Sequence, residues 1–409
     1  MTLLKEIKEK LRPDKNILIK VDEIVNKVNL MLEQDKVKAI CVTGGSLAKG
    51  TFIKDDYDAD LFVRFDYEYQ DKNISDILEN VLKKKFKIER VHGSRDYFHI
   101  QINKLTFELV PVIMIKDYKN AINVTDMSPL HVDYMKKKLK KGQEDEIRLT
   151  KQFCKSAKVY GAESYIKGFS GHILDLLIIN YGSFEALVKA AVDWKAKVII
   201  DLEKHLKNPI KELDSAKTHS PLIIVDPVQP NRNAAAALNK EKFDKFISRC
   251  QQYLLHPSKE FFIVKKIDEK KIIKKVLPNE ELFFFEANPL KGKKDVIGSK
   301  IMKVYEHLKR SIKQNEFEII KTDWEFKDKG RIYFILKKET LPEKIIIIGP
   351  PITQKEGTKQ FKEKHSITFE KNKRLYAEEK RKYRTASKLI KDLTKDEYVK
   401  ERVAKIKLI

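Results

Sequence analysis

The segment Val42–Thr51, with the sequence VTGGSLAKGT, decides the fold of the first part of this chain. An apolar run ends at its Gly-Gly-Ser turn, and a second apolar run, Leu61–Phe65, begins shortly after it. Two apolar runs around a tight turn predict a strand, a loop and a second strand. Glycine lets the backbone approach a ligand closely, and a serine at the start of a helix offers amide N–H groups and a hydroxyl to an anion. The segment therefore predicts a loop that binds a triphosphate.

Carboxylates lie close to this loop in the sequence. Asp58 and Asp60 precede the second apolar run, and because side chains alternate along a strand, both point to one face. A third acid, Glu108, interrupts the apolar run Thr106–Val112, where an unpaired buried carboxylate would be costly. Carboxylate oxygens bind divalent cations, and two such ions can be held side by side. Each motif alone is also typical of an ordinary turn or strand end, so the predicted metal site depends on their combination.

The composition indicates a polyanionic partner. The chain has 409 residues, with 84 Lys and Arg against 60 Asp and Glu, and a formal net charge of +24. This length predicts two to four domains, each able to bury its own core. Basic residues spread along the whole chain are typical either of a solvated basic surface or of an extended nucleic-acid track. The predicted phosphate-binding loop favours the nucleic-acid track.

The cysteines and the apolar runs argue against several classes of protein. Cys41, Cys154 and Cys250 form no Cys-x-x-Cys pair, so neither disulfides nor a zinc site is expected. The first 13 residues lack the apolar stretch of a secretory leader, and no apolar run reaches the roughly 20 residues that span a bilayer. We therefore expect a soluble, cytoplasmic protein without a membrane segment.

Hydrophobic spacing predicts further elements up to a domain boundary near Pro257. Lys151 lies off the apolar stripe of one predicted helix, a position that is usually solvated. The elements are helices over Lys20–Gln34, Ile74–Leu82 with Asn73 as N-cap, Gln143–Tyr160 and Ile173–Ile179, a helix start at Ala234–Leu238, and a hairpin of Tyr97–Ile102 and Leu105–Ile115 that turns at Asn103-Lys104.

Beyond this boundary the pattern becomes strand, helix, strand, strand, which is the opening of a ferredoxin-like or RNA-recognition-like unit. Its aromatic residues Phe284, Trp324 and Tyr333 suit base stacking, but at these spacings most of them are expected in the core. Near the end of the chain, Arg374–Leu393 predicts a basic surface helix.

Two sets of motifs resemble known families. The glycine loop with its three acids resembles the nucleotidyltransferase superfamily related to DNA polymerase beta. Four later blocks resemble the archaeal-type (class I) CCA-adding enzymes: Lys151–Glu163, Lys167–Gly171, Asn180–Phe184 and Val225–Asn233. The resemblance implies an α+β multidomain fold with a polymerase beta-like nucleotidyltransferase head over 1–142, a helical nucleotide-recognition neck over 143–257, and a ferredoxin- or RNA-recognition-like α+β tRNA-binding body and tail over 258–409.

The same resemblance implies an activity, namely template-independent addition or repair of the 3′-terminal CCA of tRNA from CTP and ATP with two Mg²⁺ ions. Asp58, Asp60 and Glu108 would be the catalytic residues and would hold the metals. The residues that would bind the nucleotide are Gly45, Ser46 and Lys49 at the triphosphate, and Ser128, His131, Lys151, Tyr160 and Arg232 around the incoming nucleotide. The family usually has Asp, Arg and Thr where this chain has Glu108, Lys49 and Ser128.

Other functions remain open on the sequence. A poly(A) polymerase or another terminal RNA nucleotidyltransferase would share the catalytic head. A non-catalytic tRNA-binding protein would have little use for three retained acids, and a small-molecule nucleotidyltransferase fits neither the charge nor the length. The sequence also leaves open whether the protein forms a homodimer.

Overall fold

The computed structural model describes residues 2–14, 16–56, 58–102, 105–195 and 197–409. These residues form two compact units, Met1–Lys265 and Lys266–Ile409. The predicted division into three domains, with the first boundary at residue 142, stays a prediction.

The first unit combines a five-stranded sheet with a helical region. The sheet has the order β1-β2-β5-β4-β3, in which β2 and β5 are parallel and the other pairs antiparallel. Its strands are β1 (Ala39–Thr43), β2 (Ala59–Phe65), β3 (Ile88–Val91), β4 (Tyr97–Ile102) and β5 (Leu105–Ile113), and a small parallel pair is formed by β6 (Val198–Ile200) and β7 (Leu222–Ile224). The helices are α1 (Leu3–Leu11), α2 (Asn16–Gln34), α3 (Gly45–Ala48), α4 (Ile74–Leu82), α5 (Ser128–Lys138), α6 (Gln143–Ser156), α7 (Gly171–Tyr181), α8 (Phe184–Val192), α9 (Pro209–Glu212) and α10 (Lys240–Leu255).

Alternation along β2 separates the core from the site. Leu61, Val63 and Phe65 are buried on the face covered by α2 and α4. The opposite face carries Asp60 and Phe62, and α5 packs against Phe62 on that face. The acid therefore lies on the face of the strand that is turned away from the α2 and α4 core.

Several predicted elements of this unit are confirmed. The Asn73 side chain accepts a hydrogen bond from the Asp76 N–H at 3.3 Å and caps α4. The strands of the predicted hairpin pair in antiparallel register, while its turn at Asn103-Lys104 lies outside the described residues. Helix α2 begins at Asn16, four residues before the predicted start.

Two predicted helix boundaries are wrong. Helix α6 ends at Ser156 and not at Tyr160, because Lys158 adopts a left-handed φ of 56° that the helix cannot accommodate. Residues 234–238 form turns, and α10 begins only at Lys240. There the Asn239 side chain accepts a hydrogen bond from the Lys242 N–H at 2.8 Å and supplies the N-cap.

The second unit contains a four-stranded antiparallel sheet with the order β14-β8-β10-β9. With two helices on one face, this is the β-α-β-β-α-β arrangement predicted from the sequence. The strands are β8 (Glu280–Asn288), β9 (Ile319–Phe326), β10 (Gly330–Lys337), β11 (Lys344–Pro351), β12 (Thr368–Lys371), β13 (Arg374–Lys380) and β14 (Lys405–Leu408), and the helices are α11 (Glu269–Ile273), α12 (Lys294–Gln314), α13 (Lys355–Lys364), α14 (Ala386–Leu393) and α15 (Glu397–Lys400).

The second face of this sheet is covered by the chain itself. Phe284 and Tyr333 are buried there together with Ile267, and Ile272 of α11 packs beside them. Trp324 is half-buried and stacks on Tyr305, with ring centroids 6.0 Å apart. The expectation that these aromatic residues belong mostly to the core is confirmed.

The predicted basic helix over Arg374–Leu393 is wrong in its first half. Residues 374–380 form β13, which lies between β11 and β12 in a separate three-stranded sheet. Leu375 and Ala377 are buried, whereas Arg374 and Lys380 at the two ends of the strand are exposed. Only Ala386–Leu393 is helical.

Candidate active site

The glycine loop is pressed against the acidic strand. Gly45 has a φ of 51°, and a Cβ at this position would collide with Oδ2 of Asp60. The Gly44 N–H donates a hydrogen bond to the Asp60 carbonyl at 2.8 Å, and a Cβ on Gly44 would lie 2.7 Å from the Phe62 ring. Both glycines are therefore required by the close approach of loop and strand.

Two of the three predicted catalytic acids lie side by side. Asp60 on β2 is the register partner of Glu108 on the parallel strand β5. Neighbouring strands lie about 4.8 Å apart, so the two carboxylates leave one face of the sheet together. Asp58 is exposed just before β2 begins. Asp60 and Glu108 thus lie next to each other, whereas the alternation that puts Asp58 and Asp60 on one face stays a prediction, because Asp58 lies before β2.

These acids repel one another. Burial, together with the charges of Glu108 and Asp58, raises the pKa of Asp60 to about 7, while Lys49 opposes the rise. A group of carboxylates with too little positive charge nearby is the donor set that a divalent cation prefers. The residues present therefore fit bound metal.

A histidine extends this row of side chains across the sheet. His99 on β4 is the register partner of Glu108, and its Nε2 lies 3.3 Å from Oε2 of the glutamate. The hydrogen bond to Glu108 raises the pKa of His99. Sequence reasoning missed this residue, although the predicted hairpin already brought β4 beside β5.

Two lysines of the predicted nucleotide site share one buried aspartate. Lys49 Nζ lies 2.5 Å from Oδ2 of Asp175 on α7, and Lys151 Nζ lies 3.5 Å from its Oδ1. Lys151 also donates to the carbonyl and the hydroxyl of Thr51 at 3.1 and 3.0 Å. With only 4% of its side chain exposed, Lys151 is not the solvated residue that its position off the apolar stripe predicts.

The surroundings set the ionisation of this group. Burial lowers the pKa of Lys151 to about 8 against the attraction of Asp175. Burial alone would raise the pKa of Asp175, but the charges of Lys151 and Lys49 outweigh it and keep the pKa low. The aspartate therefore stays ionised between the two lysines.

Tyr160 lies beside Lys151. A Cβ on Gly171 at the start of α7 would lie 3.2 Å from the Tyr160 hydroxyl and 3.6 Å from Cε of Lys151. Burial raises the pKa of the Tyr160 phenol, which stays protonated and keeps a hydrogen to donate. Ser46 and Ser128 are half-buried at the start of α3 and α5 respectively.

A second carboxylate connects the remaining candidates. Oδ2 of Asp226 lies 2.9 Å from Nε2 of His131 and 2.6 Å from Nη1 of Arg232. His172 approaches the same oxygen at 3.7 Å, and its ring meets that of His131 edge to face with centroids 4.7 Å apart. The structure thus brings His131 and Arg232 together around an aspartate.

Sequence reasoning assigned no role in the site to five residues that the structure places there: Thr51, His99, His172, Asp175 and Asp226. A signal existed for Asp175, because an acid inside the apolar helix α7 requires a partner. For Thr51 and His172 no local signal distinguishes them from ordinary loop and helix residues.

The fold and the site define a class of protein. A glycine loop packed against paired carboxylates on parallel strands, followed by a helical region, is the arrangement of a nucleotidyltransferase with a polymerase beta-like head. The chain is similar in structure to the Cid1 poly(U) polymerase bound to 3′-dATP, with a TM-score of 0.51 and 13% identity over 64% of this chain and 98% of the other. A Cid1 complex with the product ApU gives a TM-score of 0.50 at 14% identity, over 64% of this chain and 97% of that one.

The sequence comparisons narrow this class to one family. Residues 145–263 match the family model described as "tRNA nucleotidyltransferase, second domain", and residues 284–404 match "CCA-adding enzyme, C-terminal domain". The chain is 33% identical to the CCA-adding enzyme of Nanoarchaeum equitans over 90% of this chain and 91% of the relative. It is 31% identical to that of Methanosarcina mazei over 96% and 88%. The chain belongs to the CCA-adding enzyme family and is a tRNA nucleotidyltransferase.

No helix among the described residues is long and apolar enough to cross a membrane.

Proposed function

We propose that this protein completes the 3′ CCA end of tRNA from CTP and ATP by a reaction that depends on two Mg²⁺ ions. The observation that carries the proposal is the register pairing of Asp60 with Glu108 beside Gly45. The pairing brings two of the acids and the glycine loop, the parts that would bind metal and triphosphate, into one small region.

Asp58, Asp60 and Glu108 would hold the metals. When bound, such ions lower the pKa of an attacking hydroxyl and neutralise the charge on departing pyrophosphate. The protein's own contribution is to gather three carboxylates whose mutual repulsion is relieved by cations. Glu108 is also placed to accept hydrogen bonds from a 3′-hydroxyl, because its side chain is 34% exposed.

Gly45, Ser46, Lys49, Lys151 and Tyr160 would bind the triphosphate side of the nucleotide. Both lysines face Asp175. A triphosphate carries more negative charge than one carboxylate, so it would compete for the ammonium groups without requiring new cations. Lysine lacks the fork of arginine, so Lys49 would contact phosphate as a point charge.

Ser128, His131 and Arg232 would line the base and ribose side. Without a template, hydrogen bonds from protein and RNA to the Watson–Crick edge must distinguish C and A from U and G. Arg232 suits this role because 44% of its side chain is exposed while Asp226 holds one of its nitrogen atoms.

The tRNA itself would be bound through charge. The net charge of +24 and the exposed lysine-rich helix α13 favour contacts with phosphates by the second unit. We expect this binding to weaken with rising salt.

Incubation with tRNA lacking its last three nucleotides tests the proposal. Each labelled nucleotide is supplied alone and in mixtures, and product length is measured. The expected result is incorporation of two C and one A, followed by termination. Long homopolymer tails, or failure to incorporate CTP, would instead favour a poly(A) polymerase or another terminal nucleotidyltransferase.

A further inference from the structure

The carboxylate of Asp226 is fully buried, and both of its oxygen atoms have hydrogen-bond partners. Nε2 of His131 lies within 3.0 Å of both oxygens, and Arg232 donates to Oδ2. Oδ1 also accepts hydrogen bonds from the N–H groups of Val228 and Gln229 at 3.0 and 3.1 Å. Four donors around one carboxylate fix its orientation. They also fix the loop that runs from Asp226 to Arg232.

The partners come from separate parts of the chain. His131 lies on α5, His172 lies on the first turn of α7, and Arg232 follows β7 in the loop. Asp226 thus joins a helix that packs on the catalytic sheet to the helical region. A residue in this place controls how two nucleotide-binding candidates stand relative to each other.

The single negative charge of Asp226 lies beside three side chains that can carry a positive charge. Burial would raise the pKa of Asp226, but the hydrogen bond from His131 holds it far below its usual range. Burial lowers the pKa of His172, whose Nε2 is enclosed without a hydrogen-bond partner. His172 is therefore neutral near pH 7. The ion pair of Asp226 is formed with Arg232, which is permanently charged.

A metal ion is a poorer explanation of this group. The ligand atoms of His131, His172 and Asp226 lie within 4.8 Å of one another, which is close enough to hold a cation. However, Nη1 of Arg232 already lies 2.6 Å from Oδ2. A cation there would have to displace the guanidinium and would be repelled by it.

We propose that Asp226 is a positioning residue that holds Arg232 and His131 as one unit for nucleotide selection. The inference rests on the proposed nucleotide-facing role of Arg232. In the part of the chain that the structure describes, Arg232 makes one side-chain hydrogen bond, to Asp226. Its remaining donors are free for a base edge. Because one nitrogen is already held, less conformational entropy of the side chain is lost when a nucleotide binds.

The test is Asp226→Asn, which keeps the shape of the side chain and removes its charge. Specificity constants for CTP, ATP, UTP and GTP are measured on tRNA lacking its last nucleotides. We expect discrimination against UTP and GTP to fall by about tenfold, because a mobile guanidinium no longer presents a fixed donor pattern. Equal falls for all four nucleotides would overturn the inference.

The matched control is Asp126→Asn. Asp126 is also buried, also pairs with an arginine, Arg95, and also accepts backbone N–H bonds, from Ile113 at 2.8 Å and Ile122 at 3.1 Å. We expect this variant to lose thermal stability and to keep its nucleotide preference. A loss of preference equal to that of Asp226→Asn would overturn the inference.

A double-mutant cycle with Arg232→Ala separates positioning from a general structural role. If Asp226 acts through Arg232, the double variant discriminates no worse than Arg232→Ala alone, whereas additive losses contradict the proposal. Should Asp226→Asn fail to fold, Asp226→Glu takes its place in the cycle; it keeps the charge and displaces the carboxylate, and we expect discrimination to fall in it as well. A wild-type protein that does not prefer CTP and ATP would instead refute the proposed function.

Discussion

Two aspartates of the first unit have opposite surroundings. Asp60 faces Glu108 and Asp58, and its pKa is raised to about 7. Asp226 faces two histidines and Arg232, and its pKa is lowered far below its usual value. The first lacks positive charge and suits cations that arrive with a substrate. The second is already paired with Arg232, which is permanently charged, and suits the task of holding that side chain in place.

The largest expected effect is at the charge-deficient aspartate. Asp60→Ala should slow nucleotide addition by at least about a thousandfold, because a metal-binding carboxylate is lost. Affinity for tRNA should stay nearly unchanged, because in the proposed function tRNA is bound mainly through phosphate contacts elsewhere on the protein. Single-turnover addition and filter binding measure the two quantities. The control Glu68→Ala removes a surface acid paired with Lys38 and should leave both unchanged. Near wild-type addition by Asp60→Ala would show that the metal site lies elsewhere.

The second prediction concerns the register partner of Asp60. Glu108→Gln should lower the single-turnover rate by about a hundredfold, because it keeps the shape and removes the charge. Glu108→Asp should stay within about tenfold, or about 1.4 kcal/mol of barrier, because Asp is the usual family residue. Equal rates for the Glu108→Gln variant and the wild type would remove Glu108 from the catalytic group.

The third prediction concerns Lys151, whose surroundings are intermediate between those of the two aspartates. Its one neighbouring anion, Asp175, only partly offsets the lowering of its pKa by burial. Its pKa of about 8 means that the ammonium is charged below pH 8 and loses its proton above it. Relative to pH 7, the dissociation constant for ATP should therefore rise about twofold by pH 8 and about tenfold by pH 9. Lys151→Arg stays charged and should show no such rise. Calorimetric titration measures the constant; a flat wild-type profile would contradict the assignment.

The smallest effect is expected at His99. His99→Gln should lower the addition rate by about fivefold. This is less than the loss typical of residues that orient a buried metal ligand, because Glu108, the residue that His99 orients, is partly exposed to water. The exposed His92, which lies between β3 and β4, gives the control variant His92→Gln, which should behave as wild type. A hundredfold loss in His99→Gln would make His99 a direct member of the site.

The sequence predicted what depends on local periodicity. The predicted strands bring Glu108 beside the acidic pair, and the register of β5 against β2 places Glu108 opposite Asp60. The buried position of Lys151 could not be predicted, because its partners Thr51 and Asp175 lie far away in the chain. Tertiary pairing, and not helix periodicity, decides where that side chain lies.

The errors near the chain end have a different physical cause. In Arg374–Lys380, the alternating pattern of a strand is limited to the two buried residues Leu375 and Ala377, and the charged residues dominate the composition. A basic composition is compatible with either a helix or a strand, and the pairing with β11 and β12 decides between them. Similarly, the alanines of 234–238 favour a helix locally, yet Asn239 starts α10 only after them.

The covered sheet of the second unit affects how RNA can be read. Sheets of the RNA-recognition type usually stack bases on exposed aromatic rings. Across residues 266–409, all of which the structure describes, Phe284 and Tyr333 are instead enclosed under the segment that contains Ile267 and α11. We therefore expect this unit to recognise the shape and the phosphate charge of its RNA and not its nucleotide sequence. Such reading would suit transfer RNAs, which differ in sequence and share one shape.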